Sequence, residues 1–328
     1  MNYLTNKLYA LIFWRTPIGE ILNKIYDLKI HFKYSFKLSN NRDKEKLASY
    51  LQKQFHVIEK GMALPEPRPG FGQKKILDIV ANAKIYIKLY GEDELIKSLK
   101  ATLKEYIDFN KGNNEDLSNA YYQTIIEFTQ SYEGTEHEGG TKTVHKKDIL
   151  QAIDIDFEQF VKTRNSVRDF SSEPVNTNDV VEAVSLAKYA PSVCNRQGWH
   201  VHLYTNKDKI KKLLSLQNGN RGFTDSVNQL IIITGDTYAF TKYESNQIFT
   251  DGGLFAMNLI LALHSKGIGS IALNTDIPYV IEKKMKNEGG IPEYQRLIMY
   301  LGIGNLKDTY KVAVSKRKPT EKILTIHE

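Results

Sequence analysis

The chain has 328 residues, 41% hydrophobic and 25% charged, an ordinary globular composition that excludes a fibrous, disulfide-dense or wholly disordered protein. Its 45 basic and 38 acidic residues give a net charge of +7, but the signs are interspersed and no zinc-ligand spacing or RNA-binding signature accompanies them, so nucleic-acid binding is not expected. The length exceeds the usual single domain, and the lone Cys194 forbids an intramolecular disulfide and fits a reducing, cytoplasmic location.

The first feature is an apolar run, Leu8 to Trp14, too short to cross a bilayer and followed by Arg15 and Pro17 rather than a cleavage site. It reads as a packed or interfacial helix without stable membrane insertion. From Arg42 to about Gln130 the pattern is helical. Leu47, Leu51, Phe55, Ile58 and Met62 recur at spacings of four and three and share one helix face, as do Ile76, Val80, Ala83, Ile87 and Tyr90. Between them Leu64 to Gly70, with three prolines, forbids a continuous helix. A third helix carries Leu95, Leu99, Leu103 and Tyr106, and a fourth spans Glu115 to Thr129. His56 and Glu59 can hydrogen-bond on one helix face, ahead of a Gly61 stop.

Ser131 to Thr143 is polar, glycine-rich and aperiodic, so a boundary is placed there. A helical unit, 1–147, with a linker at about 131–147, precedes a second unit, 148–328. In the second, strands over Trp199–Tyr204, Gln229–Thr234, Ser270–Asn274 and Leu297–Ile303 follow or precede helices over about Asn178–Tyr189 and Asp251–Lys266, the latter stopped by Gly267. The class is α+β or α/β, a sheet sandwiched by helices.

Three clusters can carry chemistry. In Arg164-Asn165-Ser166-Val167-Arg168, residues four apart on a helix or tight turn share a face, so Arg164, Ser166 and Arg168 can converge on one anion; the same stretch also suits a solvated face. In Ala190-Pro191-Ser192-Val193-Cys194-Asn195-Arg196-Gln197-Gly198-Trp199, Ser192, Asn195 and Gln197 offer groups that read a heteroaromatic edge, or simply make a turn. Ser315-Lys316-Arg317-Lys318-Pro319 can neutralise a phosphate or trail as a solvated tail.

These clusters, in this order, resemble the nitroreductase family of FMN enzymes. The resemblance rests on Arg164 to Arg168, Ala190 to Trp199, Asp251 to Ala262 with Asn258 and Leu259, Gly267-Ile268-Gly269-Ser270, and Arg317-Lys318-Pro319, and covers about half the chain. It implies an α+β fold with a central mixed sheet flanked by helices, here preceded by a small all-α domain. Arg164 and Arg317 would bind the FMN phosphate, aided by Asn165, Ser166, Ser315 and Lys316, and Arg168 would face flavin N1 and the C2 carbonyl, where hydride reduction builds negative charge. Pro191, Ser192, Asn195 and Gln197 would lie against the flavin, in some relatives across a dimer interface, with Ala272, Leu273, Asn274 and Thr275 beside the ring. Asn274 and Thr275 depart from the family's commoner glutamate and glycine, and Gly198 replaces its proline, which should loosen the loop.

The implied activity is hydride transfer from transient NAD(P)H through flavin N5 to a nitro, quinone or related small-molecule oxidant by a homodimer, with no acid or base and no metal required. Two other readings stand beside it: a specialised member of the fold that dehydrogenates, dehalogenates or cleaves flavin, and a flavin-binding assembly partner. His200 and His202 alternate on one strand face without a third metal ligand, and Cys194 lacks a paired histidine, so packing roles are expected for all three. Gly267-x-Gly269 and Gly302-x-Gly304 lack the third glycine of a dinucleotide fingerprint. The His56 to Gly61 and Gly70-Phe71-Gly72 elements resemble ones that precede nitroreductase domains in some bacterial proteins; beside the plain reading of a helix surface stands a sharper one, that the proline-rich loop covers the flavin and narrows substrate choice.

Overall fold

Pro17, whose missing N–H costs nothing at a first helical position, opens α1 (Pro17–Tyr34). This helix lies outside the periodic segments read from sequence, because its apolar residues face two ways. Tyr26 and Ile30 are buried, whereas Ile18, Ile21, Ile25, Leu28 and Phe32 point outward. The structure, a computed structural model, describes residues 17–36, 42–134, 138–143, 145, 155–313 and 317–327; the Leu8 to Trp14 run lies outside these.

The four expected helices follow as α2 (Lys44–Met62), α3 (Gln73–Tyr90), α4 (Glu94–Gly112) and α5 (Ala120–Thr129). Asp43, Asp93 and Asn119 cap α2, α4 and α5 by accepting backbone N–H groups of the first turn. Leu47, Leu51, Phe55, Ile58, Ile76, Val80, Leu99, Leu103 and Tyr106 meet in one core. Gly61 is not the helix stop expected: α2 runs on to Met62, and the glycine instead admits the Phe71 ring, which a Cβ would meet at 2.4 Å. The proline-rich loop is tied to its own bundle, with the Gly70 N–H donated to Asn110 Oδ1 at 2.7 Å and the Tyr106 hydroxyl to the Phe71 carbonyl at 2.8 Å. Glu59 takes His56 Nδ1 on one oxygen (2.8 Å), and on the other the Gly140 N–H (3.3 Å), while Glu105 accepts the Thr141 N–H (2.8 Å). Gly140 and Thr141, within the stretch expected as a linker, are thus tied along α4.

The later elements are α6 (Phe157–Thr163), α7 (Thr177–Ala187), β1 (Trp199–Tyr204), α8 (Lys207–Leu214), β2 (Gln229–Asp236), α9 (Gln247–Ser265), β3 (Ile268–Leu273), α10 (Tyr279–Gly289) and β4 (Gln295–Asn305). The sheet order is β1-β2-β4-β3. Successive residues of β2 point to opposite faces: Ile231 and Ile233 pack with Phe255, Leu259 and Leu263 of α9 and Val180 and Ala183 of α7, whereas Leu230 and Ile232 pack with Ile210 and Leu213 of α8 and Met285 of α10. This is an α+β sandwich. Its strand pairings are antiparallel; among the described residues the parallel elements are two isolated bridges, Ser166 to Ser270 on β3 and Phe36 to Thr241 at the junction with the helical part. Gly267, at φ +71°, ends α9 as expected.

The helical part packs against the sheet part through α1 and α2. α2 packs against the 193–195 and 237–239 turns, and α1 against the 237–239 turn and α10. Phe36 donates its N–H to the Phe240 carbonyl at 3.0 Å, which seals the junction.

Candidate functional site

The Arg164 to Arg168 segment is not helical. Arg164 caps α6 in an extended conformation, and Ser166 then pairs with Ser270, the Val167 N–H reaching the Ser270 carbonyl at 3.0 Å. In an extended chain the shared face comes from alternation rather than a four-residue turn, so Val167 is buried while Ser166 and Arg168 are exposed and Arg164 is half-buried. The three are thus spread along an extended segment rather than stacked on one helical turn, and full extension would set the Cα atoms of Arg164 and Arg168 roughly 13 Å apart. They form a row along the outer edge of β3. Gly269 and Gly304 leave room for this docking, since a Cβ at Gly304 would meet Phe170 at 2.5 Å. The Ser226 hydroxyl holds the Arg168 carbonyl at 2.9 Å. Among the described residues no carboxylate lies within ion-pair distance of Arg164 or Arg168.

Parallel register carries Arg168 level with Ala272, so the row runs beside residues 268–272 and its Arg168 end points on to Leu273, Asn274 and Thr275. Ala272 and Asn274 are exposed and Thr275 is half-buried, but the Leu273 side chain is buried in the core, which leaves only its backbone to a ligand. The Asn274 carbonyl accepts from Gln217 at 3.2 Å and its Oδ1 from the Asp276 N–H at 3.0 Å, which fixes the turn.

The Pro191 to Gln197 loop is built under strain. Cys194, Asn195 and Gln197 all have φ of +50°, a conformation L-residues avoid. Ser192 Oγ accepts the Gln197 N–H at 3.0 Å, and the buried Asp251 carboxylate accepts the Val193 N–H at 3.0 Å and Gln247 Nε2 at 2.7 Å. Asn195 and Gln197 remain exposed. Gly198 does not loosen the loop: it is buried, and a Cβ would stand 2.6 Å from Ala239 Cβ. Close packing there requires glycine.

Arg196, which no sequence signal singled out, is the loop's buried anchor. Its guanidinium lies between the Phe36 and Phe240 rings, and Nη1 bonds Glu244 at 2.8 Å, which in turn takes Lys53 of α2 at 3.3 Å. Partners so far apart in the chain leave no local pattern to read.

The loop enters β1, whereas the Ala272 to Thr275 stretch leaves β3. Register places Trp199 opposite Gly235, Gly235 opposite Arg296, and Leu273 opposite Tyr300, so both emerge at one end of the sheet. They sit at opposite edges, three strand spacings or roughly 14 Å apart.

Of the terminal cluster, Ser315 and Lys316 lie outside the described residues, and Arg317 is exposed. Beyond it Ile323, Leu324 and Ile326 are 57–75% exposed, as are Leu254 and Met257 of α9 at 44–45%. His200 and His202 pack ring to ring at 4.7 Å, and His202 meets Gln295 at 2.6 Å; burial pulls its pKa below the usual value. Among the described residues no cluster of three metal-ligating side chains occurs. Cys194 is half-buried in its strained turn.

A cavity of about 540 Å³ opens beside Thr275 and Asp276, walled on its other side by Glu20, Asn23, Lys24 and Asp27 of α1. No residue of the proline-rich loop lines it. The segment that covers this end of the sheet is α1.

Residues 161–220 match the Nitroreductase family. A protein of Archaeoglobus fulgidus named for an inferred NADH dehydrogenase/NAD(P)H nitroreductase activity is 27% identical over 158 residues, 46% of this chain and 85% of that one. The CLA biosynthesis enone reductase of Lactiplantibacillus plantarum is 28% identical over 110 residues, 32% of this chain and 51% of that one. A Desulfovibrio desulfuricans structure assigned as a nitroreductase in complex with FMN aligns over 53% of this chain and 98% of its own, at 17% identity and a TM-score of 0.47.

Proposed function

We propose that the chain, of which residues 161–220 match the Nitroreductase family behind a helical region, is a homodimeric FMN oxidoreductase that takes hydride from NAD(P)H and passes it to a small-molecule oxidant. The observation that carries this reading is the row of Arg164, Ser166 and Arg168 laid along the exposed edge of β3 by the Ser166–Ser270 bridge. A long, flat ligand with an anionic end fits a row better than a point.

Arg164, Asn165 and Ser166, with Ser315, Lys316 and Arg317, would hold the phosphate by charge-assisted hydrogen bonds. Arg168, level with Ala272, would stand at the ring's pyrimidine edge, a fixed cation where negative charge develops. The backbone of Leu273 and the groups of Asn274 and Thr275 would line the ring. When bound, FMN supplies two-electron chemistry at N5, so the chain provides binding, orientation and electrostatics and no acid or base.

The loop bearing Pro191, Ser192, Asn195 and Gln197 is a poor partner for the same flavin within one protomer, because the sheet's width separates it from β3. A second copy would bring that loop to the β3 edge and cover the exposed apolar residues of α9 and the tail. We divide the chain into a helical unit to about residue 147 and a flavin unit from 148, and place it in the cytoplasm, where Cys194 stays reduced.

The test is the visible absorbance of the purified full chain, followed anaerobically as NADH or NADPH is added. Flavin absorbance that bleaches with one donor supports the reading. Colourless protein that takes up no added FMN defeats it, and flavin that neither donor reduces favours a substrate-oxidising specialist.

A further inference from the structure

Helix α1 lies outside the matched family region, yet it is fastened to the sheet end at four points. Asn23 Oδ1 accepts the Tyr279 N–H at 2.8 Å, Asp27 pairs with Arg296, His31 meets the Lys242 carbonyl at 3.0 Å, and Lys33 pairs with Glu293 at 2.8 Å. Tyr26 is buried beneath it with its ring 5.5 Å from that of Tyr279. A helix held in this way is a fixed wall. The cavity of about 540 Å³ between it and the 275–279 turn has the size of a small-ligand site.

The charges of that cavity are unequal in depth. At its floor Arg296 and Glu282 are each 8% exposed; Arg296 pairs with Asp27, and Glu282 takes Lys286 at 2.7 Å. The floor is therefore neutralised by its own ion pairs. At the mouth Glu20 and Asp276 have no cation within ion-pair distance among the described residues, and Lys24 is the one cation beside them in the lining. Phe249, 43% exposed, adds an aromatic surface.

We propose that the α1 cavity is the oxidant's binding site and that Glu20 and Asp276 make it selective for aromatic acceptors bearing a cationic group over those bearing a carboxylate. The inference rests on the FMN reading above, which sets the ring beside Thr275. An acidic mouth works equally against a pyrophosphate, so the nicotinamide donor gains nothing from this wall.

The experiment compares the FMN-loaded full chain on (4-nitrobenzyl)trimethylammonium and 4-nitrobenzoate, at saturating donor. The cation should have a kcat/KM about tenfold higher, and the double substitution Glu20→Lys with Asp276→Lys should bring the ratio to one or below. Equal ratios in the two proteins, or preference for the carboxylate in the unsubstituted chain, would overturn the proposal. Calorimetric titration with benzyltrimethylammonium and benzoate, which need no electron transfer, separates the two levels: binding of the cation that the double substitution abolishes supports the cavity's selectivity even where turnover fails. Absence of cation binding in the unsubstituted chain overturns the proposal and leaves the flavin reading standing.

Discussion

The Asp251 carboxylate and the Val193 backbone amide, 58 positions apart in sequence, meet at 3.0 Å and fasten the strained Pro191 to Gln197 loop to the second turn of α9. Asp251 is 1% exposed and also receives Gln247. Asp251→Ala leaves two half-buried donors without their partner, a loss of about 1–3 kcal/mol. Chemical denaturation should show that loss, and FMN retention should fall with it if the loop contacts flavin; a variant as stable as the parent would show that the loop holds itself.

Gly198 gives a test with an unusual sign. Gly198→Ala should cost about 1–3 kcal/mol, because the new methyl meets Ala239 Cβ and the Phe240 ring, and Gly198→Pro should do no better despite matching the commoner family sequence. Pairing Gly198→Ala with Ala239→Gly should recover part of the loss. Thermal unfolding of the two single variants and the double reads the coupling directly, and strict additivity would reject the contact.

Glu244 sets an acid limb. Burial alone would raise its pKa, but the Arg196 hydrogen bond, the Thr241 N–H and the charges of Arg196 and Lys53 outweigh it and hold the carboxyl at about 2 against an ordinary 4.5. A depressed folded pKa contributes stability that is full above about 4.5 and drains away as pH falls toward 2. Glu244→Gln should flatten urea-monitored stability across that window. At neutral pH it should also cost about 3 kcal/mol, since Arg196 is left buried without its carboxylate. An unchanged acid slope would remove Glu244 from the account.

The phosphate end predicts a pattern of loss. Arg164→Gln should weaken FMN binding by about 10–100-fold, the worth of a charge-assisted contact, and removal of residues 317–328 should release the flavin. Arg168→Leu should spare binding more than reduction, lowering the rate of flavin bleaching by donor. Fluorescence titration of FMN and stopped-flow absorbance distinguish these, and equal effects of Arg164 and Arg168 on affinity would argue against separate ends.

What the sequence made legible followed from regular spacing. The α2 to α5 stripes, the four strands and the Gly267 stop all carry periodic or punctuating residues that report their own surroundings. The Arg164 to Arg168 cluster is legible in the sequence but its geometry is not, because a four-residue spacing suits a helix face and an extended row alike. Leu273 was placed in the site although alternation with exposed Ala272 and Asn274 turns it inward. The role of Arg196 and the wall formed by α1 could not be read, because both depend on partners more than forty residues away, Glu244 for Arg196 and Arg296 for Asp27. α1 was further hidden by its outward Ile18, Ile21, Ile25, Leu28 and Phe32, which blur the contrast between its faces.

The anchors of α1 also set an order of assembly. Asn23 and Asp27 find Tyr279 and Arg296 across sequence separations of 256 and 269 residues. A ribosome making this chain releases α1 before α2 to α5, but the surface it will rest on emerges after the whole α2 to α5 bundle has had time to fold. The closing of so long a loop comes late and contributes slowly to the folding rate. The cavity wall is thus older in the nascent chain than the bundle it precedes, yet it is finished only after that bundle.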